Sequence, residues 1–113
     1  MKLLDYQKEF SQCVGTLFSY LELHGYTFTI GECQRTLAQQ KLYFDSGYSK
    51  TMKSNHLRKL AIDIFIFKGD RLIQNKEELA DIGNYWQSLH PLNRWGGNFK
   101  SLIDTPHFEL NAP

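Results

Sequence analysis

Four side chains in two short stretches could do chemistry together. His56 and Asp63 lie in the segment that starts Ser54-Asn-His56, and Asp104 and His107 lie in Asp104-Thr-Pro-His107-Phe-Glu109. Imidazole nitrogens and carboxylate oxygens are donors that zinc accepts, and a catalytic zinc keeps one place open beyond three protein ligands. His56, Asp63 and His107 suffice as those three. Asp104, three residues before His107, can reach a water at the metal without being a ligand. It would serve as general base and then pass the proton to a leaving amine. Pro106 stiffens the approach to His107, and Glu109 shares the face of His107 on a strand of period two.

Those residues need a scaffold, and hydrophobic periodicity supplies one. Residues 60–67, Leu-Ala-Ile-Asp-Ile-Phe-Ile-Phe, form the strongest strand of the chain. Leu60, Ile62, Ile64 and Ile66 line one face, and Ala61, Asp63, Phe65 and Phe67 the other. A carboxylate among apolar neighbours must be paired with a cation, solvated at a wet sheet face or bound to a metal, because burying an isolated charge is very costly. His56 precedes this strand, and residues 105–110 predict the final one.

Around them, apolar residues at Phe10, Cys13, Val14, Leu17 and Leu21 step by three and four, which predicts a helix over 4–24 with Gly25 as its cap. Residues 26–30 alternate as a strand. A short helix opens at Arg35-Thr36, carries Leu37, Gln40 or Lys41, and Phe44, and stops at Asp45-Ser-Gly47. Residues 48–53 are a polar loop of the kind that borders sites. Lys68-Gly-Asp70 turns the chain into a hairpin partner at 71–73, and 76–89 is helical until Pro91. Trp95-Gly-Gly-Asn98 reads as a turn with an aromatic anchor. The expected fold is a single α+β domain over residues 1–113, with helices packed on one face of a small antiparallel sheet. His24 and His90 sit at helix ends, where a polar residue already has a structural reason.

Composition narrows the classes. With 113 residues, 42% hydrophobic and 22% charged, the chain can fill one core. A net charge of +1 argues against a dedicated nucleic-acid binder. No stretch approaches the roughly 18 apolar residues of a membrane span. Cys13 and Cys33 have no metal-knuckle spacing, and Cys13 reads as a small core residue. The N-terminus lacks the apolar run and cleavage site of a secretory signal, which predicts cytoplasmic synthesis.

Ser54-x-His56-x-x-x-x-Ala61-x-Asp63, followed by Asp104-x-Pro106-His107-Phe108-Glu109, resembles the zinc D-Ala-D-Ala carboxypeptidase and L-alanyl-D-glutamate endopeptidase family, peptidase family M15. The tract Trp95-Gly96-Gly97 and the run from Arg35-Thr36 through Gln39, Leu42-Tyr43 and Gly47 look like the same family. The resemblance implies a zinc DD-peptidase or hedgehog-like fold, Zn2+ on His56, Asp63 and His107, and Asp104 as acid and base. It further implies Arg35, Ser54 and Gln39 on the substrate side, with Glu109 orienting a ligand. The implied substrate is the peptidoglycan stem peptide, cut by a monomer of phage or prophage origin that reaches the wall after holin-type release. A zinc-stabilised cell-wall peptide-binding module of the same fold is the alternative. Lys59 departs from the pattern, standing where the family usually has Gly, and many relatives have Glu in place of Asp104.

Overall fold

A computed structural model describes all residues, Met1–Pro113. The chain runs α1 (Leu3–Leu23), β1 (Thr27–Ile30), α2 (Leu37–Asp45), a 3-10 turn over Asn55–Arg58, β2 (Ala61–Lys68) and β3 (Arg71–Ile73). It continues with α3 (Lys76–Ser88), β4 (Asn93–Trp95), a second 3-10 turn over Gly96–Asn98, and β5 (His107–Leu110). The strands form one antiparallel sheet in the order β1-β2-β5-β4, with β3 also paired to β2. The expected α+β architecture is therefore the observed one.

The alternation in β2 decides how the layers stack. Ile62, Ile64 and Ile66 bury themselves with Phe108 and Leu110 of β5 against Phe10, Cys13, Leu17 and Leu21 of α1 and Leu79, Ile82 and Trp86 of α3. Burying each such side chain contributes on the order of 1.5–3 kcal/mol. Asp63, His107 and Glu109 consequently face the opposite side of the sheet. Trp86 ties the layers together, since its indole N–H donates to the carbonyls of Arg94 and Glu109 at 3.1 and 3.0 Å. Its ring meets Phe10 and Phe108 edge-on.

Helix ends follow local chemistry. Gly25, at φ 80°, closes α1 as expected. Asn75 caps α3, its side chain accepting from Glu77 and Glu78 backbone N–H groups at 2.8 and 3.2 Å. Thr36 caps α2 through Gln39 N–H at 3.1 Å. α2 departs from the expected pattern: Leu37 and Phe44 are exposed, and Gln40 is its one buried residue. Its register serves a polar partner beside the sheet rather than the core. Both cysteines are free thiols. No helix is long and apolar enough to cross a membrane.

Two features depart from the expected pattern. β4 has three residues, too few for an alternation to register. The final strand starts at His107, not residue 105, because residues 104–106 make other bonds: His107 N–H closes a turn on Asp104 O at 3.1 Å, and Trp95 Nε1 donates to Thr105 O at 2.8 Å. Trp95 is nearly inaccessible and lies between two glycines. A Cβ on Gly83 or on Gly97 would each stand 2.2 Å from its ring.

Two substitutions test this packing. Gly83→Ala forces Trp95 or α3 to move and should lower unfolding free energy by about 1–3 kcal/mol in a denaturant titration. Lys59 holds φ 56° and is the one non-glycine residue at positive φ. The left-handed conformation costs an L-residue about 1–2 kcal/mol, partly offset by the backbone entropy that glycine loses on folding. Lys59→Gly should therefore stabilise the fold by about 0.5–1 kcal/mol; a lower midpoint would contradict strain at this turn.

Candidate metal centre and cleft

The register Asp63↔His107 places these two residues opposite each other on neighbouring strands. Asp63 sits where β2 changes partners. Its backbone bonds to Gly31 and Glu32 beyond β1, while Ile64 N–H bonds Pro106 O at 2.8 Å. His56 arrives from the 3-10 turn that precedes β2. Ser54 opens that turn, its hydroxyl accepting from His56 N–H at 3.2 Å, and Arg35 N–H bonds His56 O at 3.0 Å. One ligand atom from each of His56, Asp63 and His107 then lies within 4.8 Å of the others.

The remaining ring nitrogens are already committed. His56 Nδ1 lies 2.7 Å from Cys33 O, an acceptor only, so it carries the proton and leaves the Nε2 lone pair free. His107 Nε2 donates to Glu109 Oε1 at 2.7 Å, leaving Nδ1 free. Both free nitrogens face Asp63 Oδ1, at 3.3 and 3.5 Å. That oxygen is buried and has no hydrogen-bond donor. Three lone-pair atoms pointed at one another repel unless a cation stands between them. Without a metal, a proton does so. Burial pushes the Asp63 carboxyl up, but the close approach and charge of His107 and His56 outweigh it and bring it down to about 2. Burial disfavours charged His107, yet Asp63 and Glu109 raise it to about 9. Two imidazoles and a carboxylate are a donor set that zinc accepts, so the residues present fit the ion.

Asp104 stands beside this cluster, Oδ2 3.9 Å from His107 Nδ1, with its side chain 45% exposed to the cleft. Burial and the charge of Asp63 raise its pKa, while His107, His56 and Arg35 oppose the rise. Gly96 makes its position possible, because a Cβ there would lie 2.1 Å from Asp104 O and 2.8 Å from the His107 Cβ. Gly96 O in turn accepts from Asp104 N–H at 2.9 Å.

A cleft of about 530 Å³ opens over these groups. Its floor carries His56, Asp63, His107 and Glu109; Tyr48, Lys50, Lys53, Arg94 and Lys100 line its sides with Arg35, Ser54 and Asp104. Arg35 is deeply set. Its Nε and Nη2 engage Glu32, its Nη1 donates to Gln40 Oε1 at 2.7 Å and Ser54 Oγ at 3.4 Å, and its guanidinium lies over the Tyr43 ring.

Gln39 does not line this cleft, which corrects the expectation placed on it. It is half-buried on α2, and the next residue, Gln40, about 100° further round the helix, is fully buried. Gln40 donates to Ser49 Oγ and Thr51 O while accepting from Arg35. His24 and His90 lie elsewhere; His90 pairs with Glu9 at 3.1 Å. Arg94 was missed, because its strand is too short to show a face. Its Nε donates to Glu109 Oε2 at 2.7 Å, so Glu109 both orients His107 and holds an ion pair.

Comparison with known proteins adds a family. The sequence model of the family described as D-alanyl-D-alanine carboxypeptidase, a branch of peptidase family M15, matches residues 47–110. The chain is 30% identical over 96 residues to an L-alanyl-D-glutamate peptidase of Listeria phage A118, covering 84% of this chain and 34% of that protein. It also resembles the crystal structure of the Serratia marcescens L-Ala D-Glu endopeptidase ChiX, with a TM-score of 0.63 and 28% identity over 74% of this chain and 66% of that one. The chain thus spans about a third of the phage relative's length and about two thirds of the solved chain.

The second partner of a ligating histidine fixes its tautomer, and losing such a partner weakens metal binding about 10–100-fold. Glu109→Gln should weaken zinc binding by that amount in a chelator competition, with the fold retained by circular dichroism. Unchanged affinity would show that the Glu109–His107 bond does not prepare the site.

Proposed function

We propose that this chain, which belongs to the M15 peptidase family, hydrolyses the L-Ala–D-Glu bond of the peptidoglycan stem peptide, with zinc held by His56, Asp63 and His107. The observation that carries this reading is the buried Asp63 Oδ1, without a donor, facing the free nitrogens of two histidines whose other nitrogens are committed. Both named relatives are peptidases of this bond, which favours it over the terminal D-Ala-D-Ala bond that the family description names. The phage relative supports a lytic role of phage or prophage origin.

When bound, the ion supplies Lewis acidity toward a carbonyl and a water. The chain's residues do the rest. Asp104 Oδ2, on the cleft side of His107, takes the proton from the attacking water and delivers it to the departing amine. Glu109 keeps the His107 proton on Nε2, and Cys33 O keeps the His56 proton on Nδ1, so neither imidazole turns away from the centre. Ser54 holds the His56 turn and meets Arg35, whose fixed positive charge favours negative charge developing on the substrate carbonyl. Asp104 also separates this reading from a binding module, because a structural ion needs no spare carboxylate in an open cleft.

Asp104→Asn should retain zinc by elemental analysis while the rate of stem-peptide cleavage, read by mass spectrometry of the products, falls about 10²–10⁴-fold. Removing zinc with a chelator should abolish cleavage and zinc repletion should restore it. Full activity in the metal-free protein would exclude the metal mechanism, and full activity in Asp104→Asn would exclude that residue's role.

A further inference from the structure

Five cations reach the cleft, and the structure treats them differently. Lys50, Lys53 and Lys100 have no ion-pair or hydrogen-bond partner that fixes their ammonium groups. Arg35 is fixed, but its side chain is only 8% exposed, and Glu32, Gln40 and Ser54 take its Nε, Nη1 and part of Nη2. Arg94 alone is both fixed and open. Its Nε and Nη2 grip Glu109 Oε2 at 2.7 and 2.6 Å, and its guanidinium lies 5.4 Å from the centre of the Phe99 ring. The side chain is nevertheless 52% exposed, and Nη1 bonds to no protein atom. Glu109 bonds His107 through its other oxygen at 2.7 Å, so Arg94 stands one carboxylate away from the metal centre.

A planar guanidinium held along one edge presents its other edge in a set direction. Such an edge matches a carboxylate with two parallel N–H bonds, which a lysine cannot do. We propose that Arg94 is the specificity-determining residue of the cleft, binding through its free Nη1 edge a carboxylate that the substrate carries next to the scissile bond. This rests on the peptidase reading above and deepens it: the preferred stem peptide has a free acid at the Glu residue, and amidation of that acid protects against cleavage. The Arg94–Glu109–His107 chain then puts recognition of the acid and orientation of a metal ligand on the same two strands, β4 and β5.

The test uses two peptides identical except that L-Ala is followed by D-Glu or by its carboxamide. Calorimetry on the zinc-loaded protein should show the free acid binding about tenfold or more tightly than the amide, as expected for a charge-assisted pair in a cleft. Cleavage rates should show the same preference. In Arg94→Gln, with zinc content checked, the preference should fall to within about twofold; in Arg94→Lys it should fall at least threefold, because the fork is lost. If Arg94 merely held Glu109, its loss would weaken zinc and both peptides together and leave the ratio unchanged. Equal binding of acid and amide by the unaltered protein overturns the proposal, as does a ratio that persists in both variants. Should Arg94→Gln fail to fold, an unchanged ratio in Arg94→Lys overturns it alone. A protein that prefers the acid but cuts neither peptide sinks the peptidase reading while leaving the carboxylate site standing.

Discussion

A buried carboxylate oxygen without a close hydrogen-bond partner is expensive, and Asp63 Oδ1 lies in that state between two imidazoles. Its two nearest nitrogens, on His56 and His107, are turned toward it by hydrogen bonds made on their far sides. Relaxing the conflict by rotating either ring would break a 2.7 Å bond to Cys33 O or Glu109. The cluster therefore calls for a positive charge between its members, which a proton on His107 or a bound cation would supply. This is a preorganised site in the physical sense, with its donors oriented before any ion arrives.

The sheet makes this arrangement possible by keeping its two faces chemically separate. On one face Ile62, Ile64, Ile66, Phe108 and Leu110 join the helices in a dry core, so β2 and β5 cannot slip register without exposing it. On the other face the same register sets Asp63 against His107 and Arg94 against Glu109. Trp95 adds the connection to Asp104. Packed against Gly83 and Gly97, it holds Thr105 O, while Gly96 gives the backbone room beside Asp104 and His107. Core packing thus sets the spacing of the polar groups.

Much of this was legible in the sequence where a long pattern existed. The alternation through residues 60–67 marked both the strand and the anomaly of Asp63, and the helical spacing of Phe10, Cys13, Leu17 and Leu21 marked the core face of α1. His56, Asp63, His107 and Asp104 were found by residue type and spacing, and the structure brings them together. Short elements were not legible. Three residues of β4 carry no period, which hid Arg94, and α2 buries one glutamine, Gln40, instead of an apolar stripe. The strained turn was half visible. Lys59 stood out as a lysine where the related pattern has glycine, and its positive φ gives that oddity a physical meaning.

The claim on which the account turns is that a metal is held by two imidazoles and one carboxylate, and by nothing else in the protein. X-ray absorption on the zinc-loaded protein reads the ligand shell directly. The account predicts one zinc per chain in a shell of nitrogen and oxygen at about 2.0–2.1 Å, with the outer scattering of two imidazoles and no sulfur. A sulfur scatterer at about 2.3 Å would bring in Cys33 and contradict it, as would a protein that takes up no zinc at all.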